Sequence, residues 1–268
     1  MRHSAGLLDE TDRNLLYKGM AKYYWHVVSL FEKQKAYSYV IEFSRLALQF
    51  VHVAPEDGTL IKAEMLNRQF NAAIAISHFS TAHSALLGMT DTAVQHAGLR
   101  KLVEKMCEGC HNIELIALPF PGLNAQVDEI LSQKCRAAHD VVHGTPYHRV
   151  LYSWRISRND YRGAAAVLMD SIQRLKFAGE GDKLVGEDML DTPITKQYIL
   201  LINALSCVDE KQAWVFCEGV EGENKTEAKR KVVTLSDVRR EYQEEMDRTA
   251  AIQNNQFGFE PEDEMEIL

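Results

Sequence analysis

Residues 59–77 read TLIKAEMLNRQFNAAIAIS, and Ile61, Met65, Phe70, Ala73 and Ile74 fall on one stripe at three- to four-residue spacing. That period belongs to a helix with one apolar face, because side chains three and four apart stack on the same side of a 3.6-residue turn. Thr59 offers a hydroxyl where the helix needs a cap, directly after the turn Ala54-Pro55-Glu56-Asp57-Gly58.

The same pattern repeats on both sides. Upstream, residues 37–52 place Val40, Phe43, Leu46, Ala47 and Phe50 on a helical period, and residues 9–34 do so with Leu15, Leu16, Tyr23, Tyr24, Val27, Val28 and Phe31. The polar break Lys33-Gln34-Lys35 separates them. Downstream, Ser80 is expected to cap a short helix to Met89, and Asp91 the next, where Val94, Leu99, Leu102, Val103 and Met106 recur. Residues 112–118 form one short helix, stopped at Pro119-Phe120-Pro121-Gly122, and residues 123–138 follow with Val127, Ile130, Leu131 and Cys135. Thr145-Pro146 and Thr192-Pro193 each put a hydroxyl at a cap and proline at the first helical position, where its missing N–H has no partner to lose. Their helices run to about Arg158 and Cys207, with another over residues 160–178 between them. Residues 179–191 and 218–227 read as exposed loops. Residues 209–217 are expected to form a short helix carrying Trp214; residues 231–235 are briefly extended, and the last helix runs from Ser236 to about Gln253.

About a dozen helices on short connections favour antiparallel neighbours. No internal repeat of fixed period is present, which excludes a strict TPR or armadillo array. The expected fold is therefore all-α, an irregular α-helical solenoid of stacked antiparallel helices in preference to a compact bundle. Residues 1–256 are expected to form one helical domain and residues 257–268 an acidic tail, with five acids and no base. The N-terminal sequence enters a helix almost at once, as a cut inside a longer protein would.

The chain has 268 residues with 46% hydrophobic and 25% charged, ordinary for a folded protein with a sizeable core. Its net charge is −8, and the basic face needed to grip nucleic acid or an anionic membrane is missing. No apolar run approaches the ~20 residues that span a bilayer, and no signal-peptide core follows Met1. Five cysteines at irregular spacing do not make a secreted disulfide framework and fit a reducing compartment.

Little in the sequence suggests chemistry. Cys107-Glu108-Gly109-Cys110-His111 matches the c-type haem attachment pattern, and a CxxC pair can also be redox-active or hold half a zinc site. Against this, Val103, Met106, Cys107 and Cys110 share a helical face, where cysteine packs as a small hydrophobe, and no second CxxC completes a zinc set. His139 and His143 stand four apart, a spacing able to bind a metal, but without an HExxH signature. There is no phosphate loop, nucleophile elbow or triad order. The reading is a non-enzyme without catalytic, cofactor or metal residues.

The last helix is the most suggestive of binding. Leu235, Val238, Tyr242, Met246 and Ala250 form a narrow stripe among charged residues, suited to packing on a single neighbour, either the preceding helix or a partner chain. The candidate partner contacts are Trp214, Leu235, Val238, Arg239, Tyr242 and Met246.

Several blocks in order carry a resemblance: AEMLNRQFNAAIAISHFSTAHSALLGM (63–89), GLRKLVEKMCE (98–108), LPFPGLNAQVDEILSQKCRAA (118–138), PYHRVLYSWRISRNDYRGAAAVLMDSIQRL (146–175) and VVTLSDVRREY (232–242). Together the chain resembles the C-terminal helical region of the 120/160-type scaffold nucleoporins, fungal-like, over roughly residues 15–253. The resemblance implies a structural module of the Y-shaped coat in the outer rings of the nuclear pore complex, at the nuclear envelope. The full protein would carry an N-terminal β-propeller. This segment would dock at the hub of the Y by helix–helix contacts on other helical scaffold nucleoporins, supporting mRNA export and protein import indirectly. It implies no cofactor, no small-molecule substrate, no direct nucleic-acid binding and no membrane contact through this domain. The cysteine-histidine run departs from the family's pattern, and the loops at 179–191 and 218–227 need not match it. The competing readings are a general helical adaptor or vesicle-coat-like subunit and, more remotely, a haem or redox protein built on Cys107, Cys110 and His111.

Overall fold

The computed structural model describes residues 10–51, 58–138, 140, 143–179, 192–218 and 230–256. Among them are twelve α-helices and one antiparallel two-stranded hairpin. The chain divides into two compact units, Met1–Ile130 and Leu131–Leu268. The helical class expected from the sequence is the observed one; the hairpin is the addition.

In the first unit α1 (Glu10–Tyr17), α2 (Met20–Lys33), α3 (Tyr37–Phe50), α4 (Gly58–Ala75), α5 (Phe79–Leu87), α6 (Thr92–Glu108) and α7 (Asn112–Ala117) each pack on the next, and α4 also touches α2 and α6. α4 therefore needs more than a narrow stripe. It buries Ile61, Met65, Leu66, Gln69, Phe70, Ala72, Ala73 and Ile74. The stretch expected as one helix over residues 9–34 is broken at Gly19, whose φ of 115° is open to glycine and costly for other residues. Single residues in the left-handed region make two further corners, Lys35 (φ 55°) after α2 and Ser77 (φ 57°) after α4. Ser80 is not the cap of α5; that position is His78, whose Nδ1 lies 2.7 Å from Thr81 Oγ1. Asp91 does cap α6, accepting from the Ala93 and Val94 amides at 2.8 and 3.2 Å. The proline-rich stop after α7 is fastened by the buried His83, whose Nε2 is 2.6 Å from the Pro119 carbonyl and whose ring meets Phe120 edge-on.

The next helix is α8 (Asn124–Ala137). The second unit continues with α9 (Tyr147–Ile156), α10 (Tyr161–Phe177), α11 (Pro193–Ser206), β1 (Trp214–Glu218), β2 (Arg230–Thr234) and α12 (Leu235–Gln256). α10 is its centre, packed on α9, α11 and β1, while α11 packs on α12. Its core unites Leu168, Met169 and Ile172 of α10 with Tyr198, Leu201 and Leu205 of α11, Val215 and Val233 of the hairpin, and Val238 of α12. Asp160 caps α10 through the Gly163 amide, and Thr192 caps α11 with Pro193 in the first turn. The other threonine-proline pair, Thr145-Pro146, behaves differently. Pro146 itself is the cap residue of α9, and Thr145 makes no side-chain cap there.

The helix expected over residues 209–217 is a short 3-10 turn, Glu210–Gln212, leading into β1. Val215 is 2% exposed and Phe216 50%. That alternation is the mark of a strand with one covered face. Among the sequence-based expectations, His139, most of the loops at 179–191 and 218–227, and the tail at 257–268 lie outside the described residues.

Candidate interaction surface

The cysteine-histidine run is separated by the fold. Cys107 is buried on the inner face of α6, at 1% exposure. Cys110 is exposed in a left-handed corner (φ 59°). His111 is the cap residue of α7, with its ring edge-on to Phe79 at 4.8 Å between centroids and its Nδ1 3.5 Å from Glu114. A thioether-linked haem needs both thiols open on one side, and here one of the two faces the core. Among the described residues no group of three metal-ligating side chains converges.

The six candidate contacts all fall in the second unit and divide into two sets. Val238 is 0% exposed and belongs to the core of its own unit, so it seats α12 and offers no area to a partner. Leu235 and Tyr242 are half-buried against that core, with the Tyr242 ring 6.3 Å from that of Tyr198. Met246 is half-buried as well. Val238, and in part Leu235 and Tyr242, thus pack on the core of their own unit. The inward line on α12 is Val238, Tyr242, Glu245 and Thr249; Glu245 is 5% exposed and Thr249 1%.

The buried carboxylate of Glu245 is matched by cations. Lys176 Nζ lies 3.6 Å away, and Arg248 donates to it at 2.5 Å. Lys176 also donates to the Tyr198 hydroxyl at 2.9 Å, and that hydroxyl donates to Glu241 at 3.2 Å. Burial, and then the negative charge of Glu241, push the Tyr198 phenol far above its ordinary pKa. The same two causes push the Cys217 thiol up, and the thiol accepts from Gln173. These contacts tie α10, α11, α12 and β1 together through polar groups that are costly to leave unpaired in a core.

The outward set is different. Trp214 is half-buried, edge-on to Phe216 at 5.0 Å. Arg162 lays its guanidinium 3.6 Å from the indole centroid and donates from Nε to the Trp214 carbonyl at 3.2 Å. Beside Trp214 an open hollow of about 580 Å³ is lined by Leu205, Val208, Lys211, Trp214, Leu235 and Arg239, among others. Trp214, Leu235 and Arg239 thus come together, although they are distant in sequence. An indole and arginine around a half-open hollow are the residue types that dominate protein–protein binding energy. Reading the sequence did not single out Arg162, Phe216 and Val232; the signal was the alternation in Trp214-Val215-Phe216 against Val232-Val233-Thr234.

Comparisons with known proteins find relatives of this chain. The family model described as "Nucleoporin Nup120, HEAT repeats" matches residues 1–108. Nucleoporin NUP120 of Chaetomium thermophilum is 42% identical over 99% of this chain and 28% of its own length. Nucleoporin nup120 of Schizosaccharomyces pombe is 25% identical over 72% of the chain and 16% of its own, and mouse Nuclear pore complex protein Nup160 is 30% identical over 54% and 10%. The chain spans about a quarter or less of the length of these relatives.

Proposed function

We propose, from its likeness to a Nup120 nucleoporin over 99% of the chain and to a Nup160 over 54%, that the chain is a structural segment of the Y-complex scaffold of the nuclear pore complex, at the nuclear envelope. It works by shape. Its helical stack carries faces that other helical scaffold nucleoporins cover, and it supports mRNA export and protein import only by holding that framework. It performs no catalysis, takes no cofactor or small-molecule substrate, grips no nucleic acid and makes no membrane contact of its own. The observation that carries the reading is the 42% identity sustained along 99% of the chain, joined to a fold whose polar clusters serve packing. Within the second unit the partner contacts are the exposed and half-exposed groups, Trp214, Arg239, Leu235, Tyr242 and Met246, with Val238 as the internal support beneath them.

The test is size-exclusion co-migration with helical Y-complex subunits. Deleting residues 229–268 would remove Val233 and Val238 from the core, so surface variants are the sound probe. Arg239→Glu with Met246→Glu in a chain that keeps its thermal midpoint should weaken co-migration. A folded wild-type chain that binds none of these subunits at micromolar concentration would move the general helical adaptor to the front.

A further inference from the structure

The hairpin has two outer edges, and they are not alike. The Leu235 amide donates to the Ala213 carbonyl at 3.1 Å. The register continues through Val215↔Val233 and Cys217↔Lys231, so these are the bonded pairs. In an antiparallel ladder the residues between bonded pairs turn N–H and C=O away from the partner strand. They are Trp214 and Phe216 on β1 and Val232 and Thr234 on β2. On the β1 edge Arg162 of α10 occupies the Trp214 carbonyl. On β2 the Thr234 amide is taken by Asp237 Oδ2 at 3.1 Å. On β2 Val232 turns both backbone groups outward beside a 48% exposed side chain, next to Phe216.

We propose that β2 is an acceptor edge for an extended segment of a second chain in which acidic and apolar residues alternate. The pleat dictates that chemistry. Val232 and Phe216 stand on the face away from the core, while Lys231 stands on the other face with Val233. A strand laid along β2 sets one residue beside Val232, where an apolar side chain extends the exposed patch. Its two neighbours then fall on the face of Lys231, which is exposed and has no ion pair among the described residues. A carboxylate suits that position. In the sequence Lys231 closes the chain's only run of three bases, in a chain of net charge −8. The two backbone bonds at Val232 supply the main-chain part of the recognition, as in other strand additions. The inference rests on the scaffold reading only in taking the second chain to be another scaffold subunit.

The test uses the full chain and two blocked synthetic peptides, acetyl-EVEVEV-amide and the same composition as acetyl-EEEVVV-amide. The alternating peptide should bind in calorimetric titration and slow hydrogen exchange at the Val232 amide, and the block peptide should bind several-fold more weakly. Val232→Pro removes an outward N–H that no hairpin bond uses, so it should leave the fold and lower peptide affinity at least ~10-fold. Lys231→Glu keeps the edge and reverses the charge. It should lower affinity ~5-fold or more, and it carries the test if the proline variant fails to fold. Equal binding by a folded Val232→Pro chain, equal binding of the two peptides, or a Val232 amide already protected without peptide would each overturn the proposal. Co-migration with helical subunits is measured on the same variants. If it persists while peptide binding fails, the edge proposal falls and the scaffold reading stands; if it fails while peptide binding persists, the reverse holds.

Discussion

Replacing Val238 by alanine separates the two roles that α12 could play. Val238 is 0% exposed and touches the core shared by Tyr198, Leu201, Leu205, Val215 and Val233. The truncation removes two methyl equivalents, about 0.8 kcal/mol each in transfer free energy. A cavity is left because α11 and the hairpin can close on it only partly, which brings the expected loss to about 2–3 kcal/mol. For a unit of this size the thermal midpoint should fall by roughly 5–10 °C. The matched control is Arg239→Ala, an exposed position expected to change stability by no more than about 0.5 kcal/mol. Urea unfolding followed by tryptophan fluorescence measures the first quantity, and capture of a helical scaffold subunit under native conditions measures the second. Val238→Ala should lower stability and spare capture at temperatures where it is folded, while Arg239→Ala should do the opposite. If Val238→Ala left stability unchanged and weakened capture, the assignment of Val238 to the internal core would be refuted.

Three other perturbations follow from the geometry. Arg162→Ala should cost about 1–2 kcal/mol by removing both the stack on Trp214 and the bond to its carbonyl; Arg162→Lys should recover little of it in the same urea titration, because an ammonium cannot lie flat on the indole while donating sideways. Gly163→Ala should destabilise by about 1 kcal/mol, against the helix-propensity gain, since a Cβ there would stand 2.0 Å from Asp160 Oδ2 and expel the cap. Calorimetric midpoints decide the sign. The Asp170 carboxyl is held below its ordinary value: burial raises it, and the bond from His148, the charge of Arg174 and the bond from Arg174 together outweigh that. A depressed carboxyl contributes stability that is present above the unfolded value, 3.8, and is lost as pH falls through the folded one. The stability of Asp170→Asn should therefore decline less steeply below that pH than wild type, in urea midpoints measured across the acid range.

The helices were legible wherever local chemistry and burial agreed. Asp91, Asp160 and Thr192 announce their helices because a short oxygen-bearing side chain there finds a backbone amide. The break at Gly19 was not legible, because the apolar period runs through it on both sides and only the backbone conformation of one glycine interrupts it. The hairpin was half legible. Lys231 to Thr234 reads as extended, whereas Trp214 to Cys217 is too short to distinguish a strand from one helical turn until its partner is known. Glu245 shows the remaining limit. A carboxylate flanked by Glu244 and Asp247 looks solvated, and only the cations of Lys176 and Arg248 make its burial tolerable. The HEAT relation of residues 1–108 was invisible as a repeat because successive helices pack on one another without a fixed sequence period.

Thr234 and Asp237 clasp each other at the joint between β2 and α12. The Thr234 amide and hydroxyl both donate to Asp237 Oδ2, and the Asp237 amide donates back to the Thr234 hydroxyl. With no slack residue between strand and helix, the hairpin and the 22-residue α12 turn as one lever. At ~1.5 Å per residue that arm is ~33 Å long, so a tilt of ~5° at the hairpin moves the far end of the helix by ~3 Å. A load applied to β2 would therefore be felt as displacement at the distal end of α12, and the short clasp at Thr234 and Asp237 is the fulcrum that sets the gain.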